Sequence, residues 1–289
     1  MCEAVITIGI VLRFKGNVAM SEQANNGCAA DFGVRLIGCS DDALLPIGMH
    51  DYVEALGRCT LVDKTMFIAD VLDCDASVMV CCRPEGFGKS MNLSMLKAFL
   101  ERPAVGRVGR ISFADTLIWD ADGGRYRDEY ACYPVISLDF SGAARRGAAV
   151  VGVVRGALSG ECARLMPLLE APDLARDKVR HIERVARGVA SEAEVASVLG
   201  VLIELLETAC DEQVVLLVDG YDAAWLGRSN ARGASGADPA GLFDRVLFEA
   251  IATARDSLRL MCLMGERPGP AETALSLHDY SYRLSTPLS

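Results

Sequence analysis

The sequence has no apolar run of about 18 residues, the length a membrane-crossing helix needs. Val5 to Leu12 is apolar but short, and its basic residues, Arg13 and Lys15, come after it, the reverse of signal-peptide order. No membrane association is expected. Positive charge is also scarce: 29 Lys and Arg against 39 Asp and Glu give a net charge of -10 and a pI near 4.9. A phosphate polyanion would be repelled by that balance, and no basic patch offsets it, so direct nucleic-acid binding is not expected. The eleven cysteines have no paired C-x-x-C spacing, which argues for reduced thiols in a cytoplasmic protein rather than a secreted disulfide framework or a zinc knuckle. The three histidines, His50, His181 and His278, lie far apart without metal-ligand spacing, and no role is assigned to them.

What is present is apolar mass. At 289 residues and 51% hydrophobic, the chain suffices for one large α/β domain or two small ones. Residues 1–44 read as a flexible N-terminal extension or a misassigned start, with polar Ser21 to Gly27 beginning just after Met20, and residues 45–289 as the domain proper. From Leu45 onward, short aliphatic runs alternate with helical patterns, which implies parallel strands joined by crossover helices. The strand candidates are Val78 to Cys82, Tyr133 to Phe140, Val214 to Val218 and Leu258 to Met264. Met91, Met95, Ala98 and Phe99 mark a helix launched directly after Ser90, with Pro103 beyond its end. Ser191 to Glu194 has the form of a capping box ahead of an apolar helical face. Residues Ala143 to Leu169 look helical, but Gly147, Gly152, Gly156 and Gly160 predict a broken or mobile segment. Gly227 to Gly241 reads as a flexible loop before a helix around Leu242 to Ala254.

The chemistry centres on Arg83-Pro84-Glu85-Gly86-Phe87-Gly88-Lys89-Ser90, a loop between a strand and a helix. A lone G-K-S tripeptide can be an ordinary helix start, but in that context it reads as a phosphate cradle of the P-loop, or Walker A, kind. Gly88 admits the phosphates to the backbone, and the amides and dipole of the first helical turn attract the anion. Lys89 would reach the β- and γ-phosphates, while Ser90 would place its hydroxyl on Mg²⁺. Asp219, at the end of the run Val214 to Val218, is the acidic strand end that the metal side of such a site requires. The expected class is therefore an α/β P-loop NTPase with a parallel β-sheet flanked by helices. One residue departs from G-x-x-x-x-G-K-[ST]: Arg83 stands at the first glycine position.

These residues resemble the predicted AAA-ATPase-like proteins of bacteria. Leu45-Pro46-Ile47-Gly48, Val62-Asp63-Lys64-Thr65, Arg83-Pro84 with Phe87-Gly88-Lys89-Ser90, Asn92-Leu93-Ser94-Met95-Leu96 and Tyr133-Pro134-Val135-Ile136 follow the family's motifs. Asp219, Tyr221 and Asp222 match three positions of its D-E-Y-D. The resemblance extends from Leu45 to Leu284 and accounts for Arg83, because the family habitually carries arginine there. It implies ATP and Mg²⁺ as ligands, with Arg83, Gly86, Phe87, Gly88, Lys89, Ser90 and Asp219 contacting the nucleotide or its metal. Arg267, after the last strand, matches the place of a residue that senses the γ-phosphate, and Asp63 and Lys64 match a segment facing the adenine or phosphates. Longer members add a PD-(D/E)XK nuclease-like region; none is expected within these residues.

Two departures bear on catalysis. Glu85 and Gly86 occupy positions that are usually basic in the family, which lowers the expected affinity for ATP. Gly220 replaces the glutamate that would activate water, a loss of about 10²- to 10⁴-fold in rate. In an extended strand residues 220 and 222 face one way, so Asp222 would compensate only if the turn swings it inward, and hydrolysis restored by Gly220→Glu would mark a silenced site. Three readings follow: an ATP-binding module with weak or lost hydrolysis, an active ATPase using Asp222 or a partner's residue, and a degenerate interaction module that binds no nucleotide. A protein partner or a homo-oligomer is compatible with each.

Overall fold

A computed structural model describes residues 3–6, 10–13, 35–38, 45–74, 78–103, 111–143, 150–223, 242, 245–249 and 254–267. The chain divides into two compact units, one of residues 1–73, 84–99 and 109–130, the other of residues 74–83, 100–108 and 131–289.

In the first unit, β1 (Glu3–Ile6) pairs antiparallel with β2 (Ile10–Arg13), and β3 (Leu36–Gly38) pairs antiparallel with β4 (Thr60–Val62). Between β3 and β4 runs α1 (Tyr52–Arg58), whose N-cap Asp51 accepts from the Glu54 amide at 2.8 Å. This satisfies one of the helix's orphan donors. Helix α2 (Met66–Leu72) follows β4, then α3 (Lys89–Leu100) and the short α4 (Leu117–Asp120). The turn before α2 is tied down rather than exposed. Asp63 is buried, and its Oδ1 accepts from the Thr65 amide at 2.9 Å and the Thr65 hydroxyl at 2.6 Å, while Oδ2 accepts from the Leu117 amide at 2.8 Å. An aromatic cluster fills this unit, with Phe113 edge-on to Phe99 at 5.1 Å and stacked on Tyr52 at 5.8 Å.

The second unit is built on a parallel sheet of four strands in the order β5 (Val78–Cys82), β8 (Leu258–Gly265), β7 (Val214–Asp219), β6 (Val135–Asp139). The aliphatic runs read from the sequence are these strands, β5 at the same bounds and the other three adjusted by a residue or two at their ends. Side chains alternate across a pleated strand, and in parallel register aligned residues share a face. One face carries Val78, Val80, Ile136, Leu138, Leu216, Val218, Met261 and Leu263, packed with helices α5 (Val150–Leu165), α6 (Arg176–Ala186) and α7 (Glu192–Cys210) in a single core. Each fully buried Leu or Val contributes about 1.5–3 kcal/mol.

Helix α7 opens with the predicted capping box: Ser191 Oγ accepts from the Glu194 amide at 3.3 Å, and the Ser191 amide donates to Glu194 Oε2 at 2.7 Å. Arg184 and the Ser191 contacts hold the Glu194 carboxyl down at about 2.

Helix α5 departs from expectation. It is continuous through Gly152, Gly156 and Gly160, because these residues line its exposed face while Val154, Leu158, Cys162 and Leu165 are buried. Its C-terminal half also covers the open edge of the sheet. Glu161 accepts from the Ser137 amide at 2.6 Å, and Arg164 donates to the Val135 carbonyl at 2.6 Å, occupying main-chain groups that an edge strand would otherwise offer to another chain. Of the segment expected to be helical at 242–254, the structure describes a single π-helical turn, Arg245–Glu249; the glycine-rich stretch before it lies outside the described residues. No helix among the described residues is long and apolar enough to cross a membrane.

Candidate nucleotide site

Pro84 to Ser90 belong to the first unit. Gly86 and Gly88 have φ of 84° and 71°, the left-handed region that glycine occupies without penalty. A Cβ built on Gly86 would meet nothing within 4 Å, so the loop is open above it. The helix begins at once, with the Asn92 amide donating to the Gly88 carbonyl at 2.9 Å. Lys89 folds its ammonium back over the loop, donating to the Pro84 carbonyl at 2.9 Å. Phe87 and Glu85 are exposed, and Ser90, on the first turn of α3, is half-buried.

A left-handed glycine pair, an open approach, a helix start and a cation folded over the loop are the parts an anionic phosphate chain requires, so the cradle fits its expected ligand. Among the described residues no group of three or more His, Cys, Asp or Glu is arranged to hold a metal, so a Mg²⁺ ion here would take much of its coordination from phosphate oxygens and water.

Arg83 belongs to the second unit and extends β5 by one rung: its amide donates to the Gly265 carbonyl at 3.0 Å, and its Nη1 donates to the Cys82 carbonyl at 3.0 Å. Asp219, the last residue of β7, is 8% exposed. The strand does not continue past it. Gly220 takes φ 64°, and a Cβ there would lie 2.6 Å from the Ser141 amide nitrogen, 2.7 Å from the Ser141 Cα and 3.0 Å from the Phe140 carbonyl carbon. Real Cβ atoms do not approach backbone that closely. Position 220 is therefore closed to side chains, and the extended alternation expected through Asp222 does not hold.

The residues after Gly220 grip the chain beyond β8. Asp222 is buried, and its Oδ2 accepts from the Glu266 and Arg267 amides, both at 2.9 Å. The Tyr221 hydroxyl donates to the Arg267 carbonyl at 2.9 Å and lies 3.3 Å from Cys82 Sγ. Gly265 makes room for this clamp, since a Cβ on it would fall 2.4 Å from the Tyr221 ring. Arg267 is thus fixed by its backbone while the residue itself remains exposed. Sequence reasoning missed the clamp, although a glycine closing β8 opposite a buried Tyr-Asp pair was its one visible trace.

In the first unit, Asp63 is fully engaged in the turn described above, and burial pushes the neighbouring Lys64 ammonium down to about 8.

The family model for predicted AAA-ATPases matches residues 46–268. The chain belongs to this AAA-ATPase-like family. Comparison with curated proteins gave no match, and neither did comparison with solved structures. The matched residues include the strand, glycine loop and helix over residues 78–100 and the parallel sheet in which β7 ends at Asp219.

Proposed function

We propose that the chain binds Mg-ATP through the Arg83–Ser90 loop and hydrolyses it slowly, so that the nucleotide acts as a switch. The observation carrying this reading is the loop itself, in which Gly86 and Gly88 turn left-handed directly ahead of α3 and Lys89 holds its charge over them. In this reading Lys89 and the loop amides hold the phosphates and Ser90 offers its hydroxyl to Mg²⁺, while Asp219 keeps the metal-side role that the family resemblance implies. Bound Mg²⁺ would neutralise charge on the terminal phosphates. Arg267 is the assigned γ-phosphate sensor, and a protein partner or second copy is the assigned reader of the nucleotide state.

Slow hydrolysis rests on Gly220, because a residue packed against Phe140 and Ser141 supplies no carboxylate. Asp222 is poorly suited as a substitute, since one of its oxygens already serves two amides. Thermal shift tests the reading: Mg-ATP at about 100-fold above its dissociation constant stabilises the wild type by about 2.7 kcal/mol and leaves Lys89→Ala unmoved. A wild type that fails to shift would leave the interaction module as the surviving reading.

A further inference from the structure

We infer that the exposed face of α6 is a docking surface for an acidic helix of a partner protein. The surface lies wholly within the second unit and is independent of the nucleotide reading. Between Arg176 and Arg187 the chain carries five cations and two carboxylates, in a protein whose net charge is -10. The basic patch that the overall balance lacks is therefore present locally, and the helix concentrates it. At about 3.6 residues per turn, Arg176, Arg180, Arg184 and Arg187 fall within about 80° of arc, opposite the buried Ile182 and Val185. All four arginines are exposed. Asp177 and Glu183 flank the stripe, one at each edge.

The open charge lies in the first half of the stripe. Arg184 is engaged with Glu194 at 2.7 Å, and Arg187 lies 4.0 Å from Glu183. Arg176 and Arg180 have no ion pair among the described residues. Cations in the first turns of a helix oppose its macrodipole, so neither arginine helps to hold α6 together. A second, independent feature stands at the other end. Gly188 takes φ 71° and the Val189 amide donates back to the Arg184 carbonyl at 3.0 Å, yet Val189 is left 60% exposed instead of packing on the helix.

Charge and spacing select the occupant. Arginines four apart on a helix are separated by a rise of about 6 Å, the rise that also separates glutamates four apart on a second helix, and guanidinium takes carboxylate bidentately. Val189 then meets an apolar residue at the end of that helix. A nucleic acid offers nothing to Val189, and two unpaired arginines release few counterions against a net charge of -10. A lipid surface needs an apolar face, and the apolar side of α6 is buried in its own core. A second copy is disfavoured as well, because the α7 carboxylates Glu192, Glu194 and Glu204 are already paired with Arg245, Arg184 and Lys178.

The test follows the fluorescence anisotropy of a labelled alanine-based helical peptide of about 16 residues, with glutamate at every fourth position and leucine at one end, titrated with the full chain. Saturable, salt-sensitive binding is expected, with a scrambled peptide of the same composition at least about fivefold weaker. Arg176→Glu combined with Arg180→Glu is expected to weaken binding at least about tenfold, and Val189→Ser about threefold. The charge-reversed variant is expected to keep its melting temperature, because glutamate suits the start of a helix. If it melts lower, Arg176→Gln combined with Arg180→Gln replaces it, and wild-type affinity in that variant would overturn the inference. No binding by the wild type, equal binding of the scrambled peptide, or a charge-reversed variant of unchanged affinity would overturn it too. So would tighter binding of a DNA duplex at the same salt, which would make the stripe a phosphate surface, or dimers of the free chain lost on charge reversal, which would make it a self-interface.

Discussion

Gly86 and Gly220 share a backbone conformation and serve opposite ends. Both are left-handed, at φ 84° and 64°, yet a Cβ on Gly86 meets nothing within 4 Å while one on Gly220 meets the Ser141 amide at 2.6 Å. At the cradle the absent side chain leaves an approach open for a ligand. After β7 it lets two strand ends close on each other. Gly220 therefore differs from the expected glutamate by more than a functional group: the Phe140 and Ser141 backbone lies where a side chain would have to start.

The strongest way to break this comparison is to put side chains at both positions. Gly220→Glu is expected to destabilise by about 2–5 kcal/mol, combining about 1–2 kcal/mol of left-handed strain with about 1–3 kcal/mol of overpacking. Gly86→Ala meets only the strain, about 1–2 kcal/mol. Urea denaturation of the two variants measures the difference, and equal losses would mean that the turn at Gly220 opens freely. The Gly220→Glu variant is accordingly expected to lose stability without gaining phosphate release.

Next in size is the ligand effect at the open glycine loop. Lys89→Ala removes the cation over the loop and should abolish the stabilisation of about 2.7 kcal/mol expected from saturating Mg-ATP. At the closed turn the corresponding test is Asp222→Asn, which weakens two charge-assisted acceptor contacts to the Glu266 and Arg267 amides and should destabilise by about 1–3 kcal/mol. Mg-ATP still shifts the melting temperature of that variant if Asp222 serves only the clamp. A variant of wild-type stability that has lost phosphate release would instead restore Asp222 as a catalytic residue.

The contrast also explains what was legible in the sequence. Val78–Cys82 and Val214–Asp219 announce themselves because a buried parallel strand needs a continuous aliphatic run, a local property. The cradle is equally local: eight consecutive residues carry it. Gly220 was readable as a missing glutamate but not as a closed position, because what closes it comes from β6, about 80 residues earlier in the chain. Asp63 is a similar case. Its burial depends on the Leu117 amide, 54 residues away, and nothing near Val62-Asp63-Lys64-Thr65 signals that partner. Strand alternation carried past Asp219 assumed an extended backbone there, which this chain's glycine does not keep.

Helix α5 gives the smallest effect and the sharpest test of reading glycine by its surroundings. The intrinsic penalty of glycine led to a broken segment at residues 143–169, yet Gly152, Gly156 and Gly160 recur every fourth residue on the exposed side, and none would place a Cβ within 4 Å of another group. The opposite side buries Val154, Leu158, Cys162 and Leu165, and that packing outweighs the backbone entropy. Alanine at each glycine should therefore stabilise the protein by about 0.4–1 kcal/mol, since it restricts the unfolded chain without overlap in the folded one. These sites are too close to assume strict additivity, but all three together should still raise the urea midpoint above any single variant. A loss of stability at any of the three would mean that its exposed face is occupied, and that this glycine resembles Gly220 rather than Gly86.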